Sequence, residues 1–182
     1  MRGCNIYKPD GTQITEKDSL IYLGSLLDQA GNIGAELNRR LGMARADLKQ
    51  LSKVWRHPRI SVQRKVNIFE ACVVLKLLYC LHAAWLNMAD RRKLDAFQAQ
   101  SLRTITGTPR SYISRITNKN VLEQCKQPKL SHKLHLRQLT LMHKVALLPD
   151  NKVTRQIVFK PSKFELLAAA GPAKEDDHAT AG

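Results

Sequence analysis

The apolar positions between residues 33 and 55 recur every three or four residues, a spacing that predicts an amphipathic helix of about six turns. Pro58 follows, and because proline breaks a helix interior, we expect the helix or its extension to end before this residue. Ser61 then has the side chain of an N-cap for the next helix. The apolar stripe of the first helix consists of Ile33, Leu37, Leu41, Ala44, Leu48, Leu51 and Trp55.

Two further long helices are predicted downstream. Residues 62–86 are apolar nearly all round, which is typical of a central helix buried by its neighbours. Residues 89–106 have apolar positions at helical spacing and Asp90 in the first turn. Gly107 follows at the position where a left-handed residue commonly ends a helix.

Shorter elements are predicted towards the C-terminus. Residues 118–124 form a short helix with Thr117 or Asn118 as its cap. Residues 131–148 have helical spacing, begin with a serine that is a candidate N-cap, and are followed by a proline. Residues 156–159 are β-branched and aromatic enough to predict a short strand.

The N-terminal thirty residues have a different pattern, which predicts a β-hairpin. Residues 5–8 alternate between polar and apolar, the sequence Pro9-Asp10-Gly11 is typical of a turn, and residues 20–27 are rich in strand-forming side chains. Residues 28–34 contain two glycines and are expected to form a loop.

Together these patterns predict a mainly α fold, in which an N-terminal β-hairpin precedes a bundle of about four to five helices. We expect the hairpin within residues 1–32, a helical domain over 33–128, and a further helix and short strand over 129–164. Residues 165–182 have little apolar surface to bury and are expected to form a disordered tail.

The net charge of the chain indicates the class of its binding partner. The chain of 182 residues has 30 Lys and Arg against 15 Asp and Glu, a net charge of +15. Residues 31–164 hold 26 of these basic groups and 7 acidic ones, so the excess is concentrated there. Nucleic acid is the commonest partner for such a field, with an anionic membrane surface or a merely solvated surface as alternatives.

No apolar run has the length of a membrane span, and no apolar segment follows the N-terminus as in a signal peptide. The four cysteines show no pattern of a disulfide framework or a zinc site. We therefore expect an intracellular protein, nuclear or cytoplasmic, that is neither secreted nor bound to a membrane.

Candidate catalytic residues are few. The acidic groups of the central region are scattered, and no pair has the close spacing that would hold a divalent metal. His132, His135 and His143 have no neighbouring carboxylate or thiol to complete a metal site. No phosphate-binding glycine loop or nucleophile motif is present. We therefore expect neither a metal site nor a self-contained active site.

The basic face of the first helix is more informative. Residues 39–65 contain nine basic groups and one acidic group, and several lie four residues apart, opposite the apolar stripe. Such a row can follow a phosphate backbone, and without base-reading residues in a defined motif its binding is expected to be independent of sequence. The candidate contacts are Arg39, Arg40, Arg45, Lys49, Lys53 and Arg56.

An ordered set of short motifs resembles the reverse transcriptases of non-LTR (LINE-type) retrotransposons, where the end of the palm runs into the thumb. The resemblance covers about residues 18–160. The motifs are Tyr22-Leu23-Gly24-Ser25-Leu26-Leu27, Glu36-Leu37-x-Arg39-Arg40-Leu41-Gly42-Met43-Ala44, Trp55, Phe69-Glu70-Ala71-Cys72-Val73-Val74, Leu77-Leu78-Tyr79 and Arg91-Arg92-x-Leu94-Asp95-x-Phe97, which continues to Leu102-Arg103-x-Ile105-x-Gly107.

This resemblance implies a thumb-like fold and a chain derived from an RNA-directed DNA polymerase. In the family, paired aspartates in a Tyr-x-Asp-Asp strand hold Mg²⁺ upstream of the Tyr-Leu-Gly strand, and the residues before Tyr22 contain no such motif. The resemblance therefore implies a non-catalytic fragment, whose partners would be RNA, DNA or RNA–DNA hybrid and the missing fingers and palm. Three positions depart from the family: Cys80 replaces a usual glycine, Ser101 replaces a frequent cysteine, and Lys76 lies inside the apolar helix.

The resemblance also implies positions for the nucleic acid. Tyr22, Leu23 and Gly24 would form a strand of the primer grip, and the arginines of the first helix would face the primer–template backbone. A small basic helical module that binds nucleic acid or protein, with no polymerase role, is the alternative. The DNA upstream of Met1 distinguishes the two, because only a polymerase remnant would encode a Tyr-x-Asp-Asp strand there.

Overall fold

The structure, a computed structural model, describes residues 7–13, 17–29, 31 and 33–160. About 64% of these residues are helical, and an antiparallel two-stranded hairpin precedes the helices, so the predicted fold class is confirmed. The predicted tail, residues 165–182, lies outside the described residues, as do residues 5 and 6 of the predicted first strand.

The hairpin consists of β1 (Ser19–Tyr22) and β2 (Ser25–Asp28), which pair antiparallel. Leu23 and Gly24 form the turn, and both have positive φ, as in hairpin turns of type I′. The prediction of one strand over residues 20–27 is therefore wrong, because that run contains a complete turn. The sequence Pro9-Asp10-Gly11 does form a turn, but it connects only the isolated bridge between residues 7 and 13.

The first predicted helix is two helices in the structure, α1 (Ile33–Gln50) and α2 (Ser52–Arg56), which meet at Leu51. Trp55 is buried, and its indole nitrogen donates a hydrogen bond of 2.8 Å to the carbonyl oxygen of Leu48. This contact connects α2 to α1. The apolar stripe faces the core as predicted, although Leu48 is only partly buried.

The second predicted helix begins as expected and ends early. Helix α3 (Val62–Phe69) starts at Ser61, whose hydroxyl accepts from the Arg64 amide. A π-helical stretch (Glu70–Val74) and α4 (Leu75–Leu77) continue it, and a 3₁₀ turn (Leu81–Ala83) follows.

Cys80 lies between α4 and the 3₁₀ turn with φ of 60°, so the helix cannot extend to residue 86 as predicted. The expectation of burial all round is also wrong, since residues 71, 72, 75 and 76 are exposed. The apolar pattern of residues 62–86 does not reveal that a residue within it adopts the left-handed conformation and ends the helix.

The remaining helices of this region follow their capping residues. Helix α5 (Met88–Thr106) begins after Asn87, whose side chain accepts from the Asp90 amide, and ends at Gly107 with φ of 69°. Helix α6 (Ser111–Ser114) is a single turn, and α7 (Asn118–Gln124) has Thr117 as its N-cap.

The chain divides into two compact units between Arg137 and Gln138. Helix α8 (Leu130–Ala146) starts one residue before the serine expected to cap it, and α9 (Val153–Val158) replaces the strand predicted over 156–159. Within the second unit, the buried Arg155 pairs with the Asp150 carboxylate at 2.6 Å and also donates to the carbonyl oxygen of Ala146. These local contacts favour the helical turn over an isolated strand.

The core of the first unit lies where α1, α3, the π-helical stretch, α4 and α5 pack together. Phe69 and Phe97 contact each other at its centre, with ring centroids 6.5 Å apart. Because α1 and α2 both pack on α5, the sides of these three helices that face away from the core form a groove at the surface.

Candidate nucleic-acid interface

The basic residues of α1 divide into two groups with different surroundings. The first group surrounds Glu36, whose carboxylate is 1% exposed and accepts hydrogen bonds from both arginines that follow it. The Arg39 Nε lies 2.7 Å from one carboxylate oxygen, and the Arg40 Nε lies 2.5 Å from the other. The Leu26 amide also donates to Glu36, at 3.1 Å, so this carboxylate connects α1 to β2.

Arg40 connects the hairpin to two helices. Its guanidinium donates to the carbonyl oxygens of Gly24 and Lys76, each at 2.8 Å, and lies 5.0 Å from the centre of the Tyr79 ring. The Tyr79 hydroxyl in turn donates to the Leu23 carbonyl oxygen at 3.3 Å. With 5% of its surface exposed, Arg40 cannot face a nucleic-acid backbone, and that prediction is wrong.

Arg39 is half-buried and makes a similar set of contacts. Besides Glu36, it donates to the Gly24 carbonyl oxygen at 2.8 Å. Its charge is therefore largely neutralised within the fold. Tyr22, Leu23 and Gly24 lie at the end of β1 and in the hairpin turn, and their role in a primer grip stays a prediction.

The pKa of Glu36 reflects this environment. Burial alone raises the pKa of a carboxyl group, because it disfavours the charged form. The hydrogen bonds from Arg39, from the Leu26 amide and from Arg40 outweigh burial, so the pKa of Glu36 lies below its ordinary value. The carboxylate is thus charged in the folded protein and has two cations to balance it.

The second basic group lies further along α1 and is solvated. Arg45, Lys49 and Arg56 are exposed and line the groove between α1, α2 and α5, where a cavity of about 220 Å³ opens. Among the described residues none of these three has a hydrogen-bond or ion-pair partner. A smaller adjoining cavity of about 110 Å³ continues the groove between Arg45 and Thr104.

Acidic groups are turned away from this groove. Asp47 is the only carboxylate in the basic stretch 39–65, and it pairs with Lys76 of α4 at 3.1 Å. Lys53 is exposed on α2 but does not line the groove. The structure therefore brings three of the six predicted contact residues together in the groove and places Lys53 outside it. Arg39 and Arg40 belong instead to the cluster around Glu36 that fastens the hairpin to α1, which we call the hairpin anchor.

The opposite wall of the groove was not predicted from sequence. Gln100 and Thr104, four residues apart on α5, line it with polar side chains. Their helical spacing could have identified them as one face of the third predicted helix. Hydroxyl and amide groups of this kind, together with lysine and arginine, are common partners of phosphate oxygens.

Among the described residues, no group of three or more His, Cys, Asp or Glu side chains is placed to hold a metal ion. No helix within the described ranges combines the length and the apolar character that crossing a membrane requires. What the groove offers chemically is a set of unpaired cations and hydrogen-bond donors.

Comparison with protein families, with curated proteins and with solved structures gives no match for this chain. The residues and their geometry are therefore the basis for its function.

Proposed function

We propose that this chain is a non-catalytic, thumb-like part of a non-LTR retrotransposon reverse transcriptase, and that it binds the backbone of RNA or of an RNA–DNA primer–template. The observation that carries the proposal is the groove lined by Arg45, Lys49 and Arg56, whose charges are solvated and unpaired within the described residues. A folded protein gains little from such a row of like charges, whereas a polyanion gains several ion pairs at once.

The spacing of the row suits a repeating anion. Arg45 and Lys49 are four residues apart, so they lie on one face of α1 and about 6 Å apart along its axis. Arg56 extends the same groove from α2. Each side chain can therefore reach a different phosphate, and none of them requires a particular base.

The residues that carry the resemblance also meet in space. Gly24 of the first motif, Glu36 and Arg40 of the second, and Tyr79 of the Leu77-Leu78-Tyr79 motif form the cluster that fastens the hairpin to α1. One cluster of contacts thus explains why these residues occur in three separate segments of the chain. It therefore supports reading the motifs as one unit.

The departure at Cys80 supports the resemblance from another direction. The family usually has glycine at this position, and the backbone of Cys80 has φ of 60°. Glycine adopts such a conformation without the steric cost that a Cβ atom brings. The expected glycine and the observed left-handed backbone agree.

The hairpin gives the proposed palm a place to pack. Five of its apolar side chains are more than half exposed, an unusual concentration for a surface in water. A polymerase palm adjoining the hairpin would bury them. These side chains are Leu20, Ile21, Tyr22, Leu23 and Leu27.

A binding experiment tests the proposal. An RNA–DNA duplex of about 20 base pairs is titrated with the chain by fluorescence anisotropy over a range of salt concentrations. The double variant Arg45→Ala, Lys49→Ala removes two phosphate contacts, so its log–log salt slope should be smaller by about two units. The loss should be equal for duplexes of unrelated sequence, because backbone contacts do not read bases.

The matched control is Arg110→Ala, Lys144→Ala, which removes the same charge from exposed positions that do not line the groove. This control should lower affinity only slightly and leave the slope nearly unchanged. If both double variants reduce the slope equally, binding follows total charge and the groove is not the interface. Full affinity and slope in the Arg45, Lys49 variant would also reject the proposal.

A further inference from the structure

A second basic groove lies on the other side of α5, against α7 and the start of α8. Two adjoining cavities of about 580 and 480 Å³ form it, and both are lined by Arg92, Asp95 and Lys129. Met88 and His132 are among the other residues that line it. Both cavities are larger than the one in the groove of α1. All of these residues belong to the first unit.

The electrostatic character of this groove is positive. Arg92, Lys129 and His132 are exposed, and none of their side chains has an ion-pair or hydrogen-bond partner within the part of the chain that the structure describes. Asp95 is the only carboxylate among the described lining residues, and Ser131 occupies it through its amide at 2.9 Å and its hydroxyl at 2.8 Å. Each oxygen of the Asp95 carboxylate therefore accepts a hydrogen bond from within the protein.

An aromatic platform lies at one end of the groove. Trp85 is 71% exposed, and the guanidinium of Arg91, a lining residue, lies 5.0 Å from the centre of its ring. Arg91 is itself held by a hydrogen bond of 3.1 Å from its Nε to the Leu86 carbonyl oxygen. Arg91 thus connects the indole to the end of the groove, while most of the indole surface remains in water.

We propose that this Trp85 groove binds unpaired nucleotides of single-stranded RNA or DNA. A strand of this kind has both chemistries that the surface matches: phosphates for Arg92 and Lys129, and a base that can stack on the exposed indole. A duplex keeps its bases stacked inside and offers only the first of them. An acidic peptide likewise has charges but no flat aromatic face. The inference goes beyond the proposed function and does not depend on the groove of α1.

The test uses the whole chain and a labelled oligouridine of about 12 nucleotides, long enough to cross the groove. Trp85→Ala should weaken its binding by about tenfold, whereas Trp85→Phe should retain a large part of the affinity, since any aromatic face can stack. Tyr112→Ala is the matched control, because Tyr112 is a similarly exposed aromatic residue on α6 that, unlike Trp85, does not stack on an arginine lining the groove.

Tryptophan emission gives a second readout. Trp85 is exposed and Trp55 is buried, so stacking of a base should quench the emission of Trp85, and the quenching should be lost in Trp85→Phe. Arg92→Ala combined with Lys129→Ala should weaken oligouridine and lower its salt dependence. The same pair should leave duplex binding nearly unchanged.

The outcomes separate this inference from the proposed function. If Arg45→Ala, Lys49→Ala abolishes duplex binding but spares oligouridine, both surfaces exist and are independent. If Trp85→Ala and the Arg92, Lys129 pair leave oligouridine binding unchanged, the inference is wrong, whatever the duplex result. If a polyglutamate peptide competes with oligouridine as strongly as unlabelled oligouridine does, and Trp85→Ala has no effect, the groove accepts acidic protein segments and the inference is overturned.

Discussion

Replacing Glu36 with glutamine should destabilise the protein far more than an ordinary surface substitution. The side chain is 1% exposed and accepts two hydrogen bonds from Arg39, one from Arg40 and one from the Leu26 amide. Glutamine has nearly the same shape but removes the charge that balances two cations. Arg40, 5% exposed, would then be a buried cation without a carboxylate.

The magnitude follows from that burial. Removing one partner of a buried ion pair costs about 3–5 kcal/mol, mostly because the remaining charge is left uncompensated. The amide oxygen of glutamine still accepts one hydrogen bond, so we expect the lower part of this range. Since Glu36 also holds the Leu26 amide, the hairpin should lose protection first, which amide hydrogen exchange at Leu26 would detect.

The assay is urea unfolding followed by circular dichroism, with Asp47→Asn as the matched control. This control makes the same carboxylate-to-amide change on the same helix, at an ion pair whose Lys76 partner is 61% exposed. An exposed pair of this kind contributes at most about 1 kcal/mol. If Glu36→Gln costs no more than Asp47→Asn, the cluster does not anchor the hairpin, and the assignment of Arg40 to the fold is refuted.

Three further predictions follow from the same features. Cys80→Gly should raise the free energy of unfolding by up to about 1 kcal/mol, because glycine removes the steric cost of a left-handed residue but gains entropy in the unfolded chain; an equal or lower melting temperature would contradict this. The pKa of Glu36 is lowered on folding, so its stabilising contribution is complete above the unfolded value of about 4.3 and is lost as the pH falls through the folded value. Urea titrations between neutral and acid pH should show this loss in the wild type, and a part of it should be missing in Glu36→Gln. The chain should also fail to extend a primer on RNA or DNA with Mg²⁺ or Mn²⁺, and extension above a buffer control would disprove its non-catalytic character.

The elements that sequence predicted best are those with strong periodicity and clear caps. Helix α5 has apolar positions at helical spacing, Asn87 before it and Gly107 after it, and the structure matches the prediction within one residue. Thr117 and Ser61 likewise cap the helices that they were expected to cap. In each of these cases the signal is local, because the capping side chain bonds to a backbone amide three residues away.

The errors concern positions where long-range contacts decide. The run 20–27 is apolar except for Gly24 and Ser25, so its pattern did not show that Leu23 adopts a positive φ and that the chain turns there. Gly24 was the available signal. The early end of the helix at α4 has a similar origin, since Cys80 resembles a buried helical residue in the pattern and adopts a left-handed conformation in the structure.

The candidate site shows the same limit for charges. Counting basic residues singled out the stretch 39–65 but treated all its members as one surface. Glu36, three and four residues before Arg39 and Arg40, was the signal that these two arginines are paired, because such spacings bring side chains together on a helix. Only the structure shows that both arginines also donate to the Gly24 carbonyl oxygen of the hairpin.

Helix geometry explains why α1 combines an anchor with an open basic row. Each residue turns the helix by about 100°, so Glu36 and Arg40 differ by only about 40° around the axis, as do Arg45 and Lys49. Arg45 follows Arg40 by five positions, so these two side chains lie about 140° apart around the axis, and the centres of the two pairs lie about 180° apart. The first pair therefore faces the hairpin and α4, and the second faces the groove with α5. Because removal of Arg40 would unfold the anchor and weaken binding indirectly, only substitutions in the second pair can test binding without disturbing the fold.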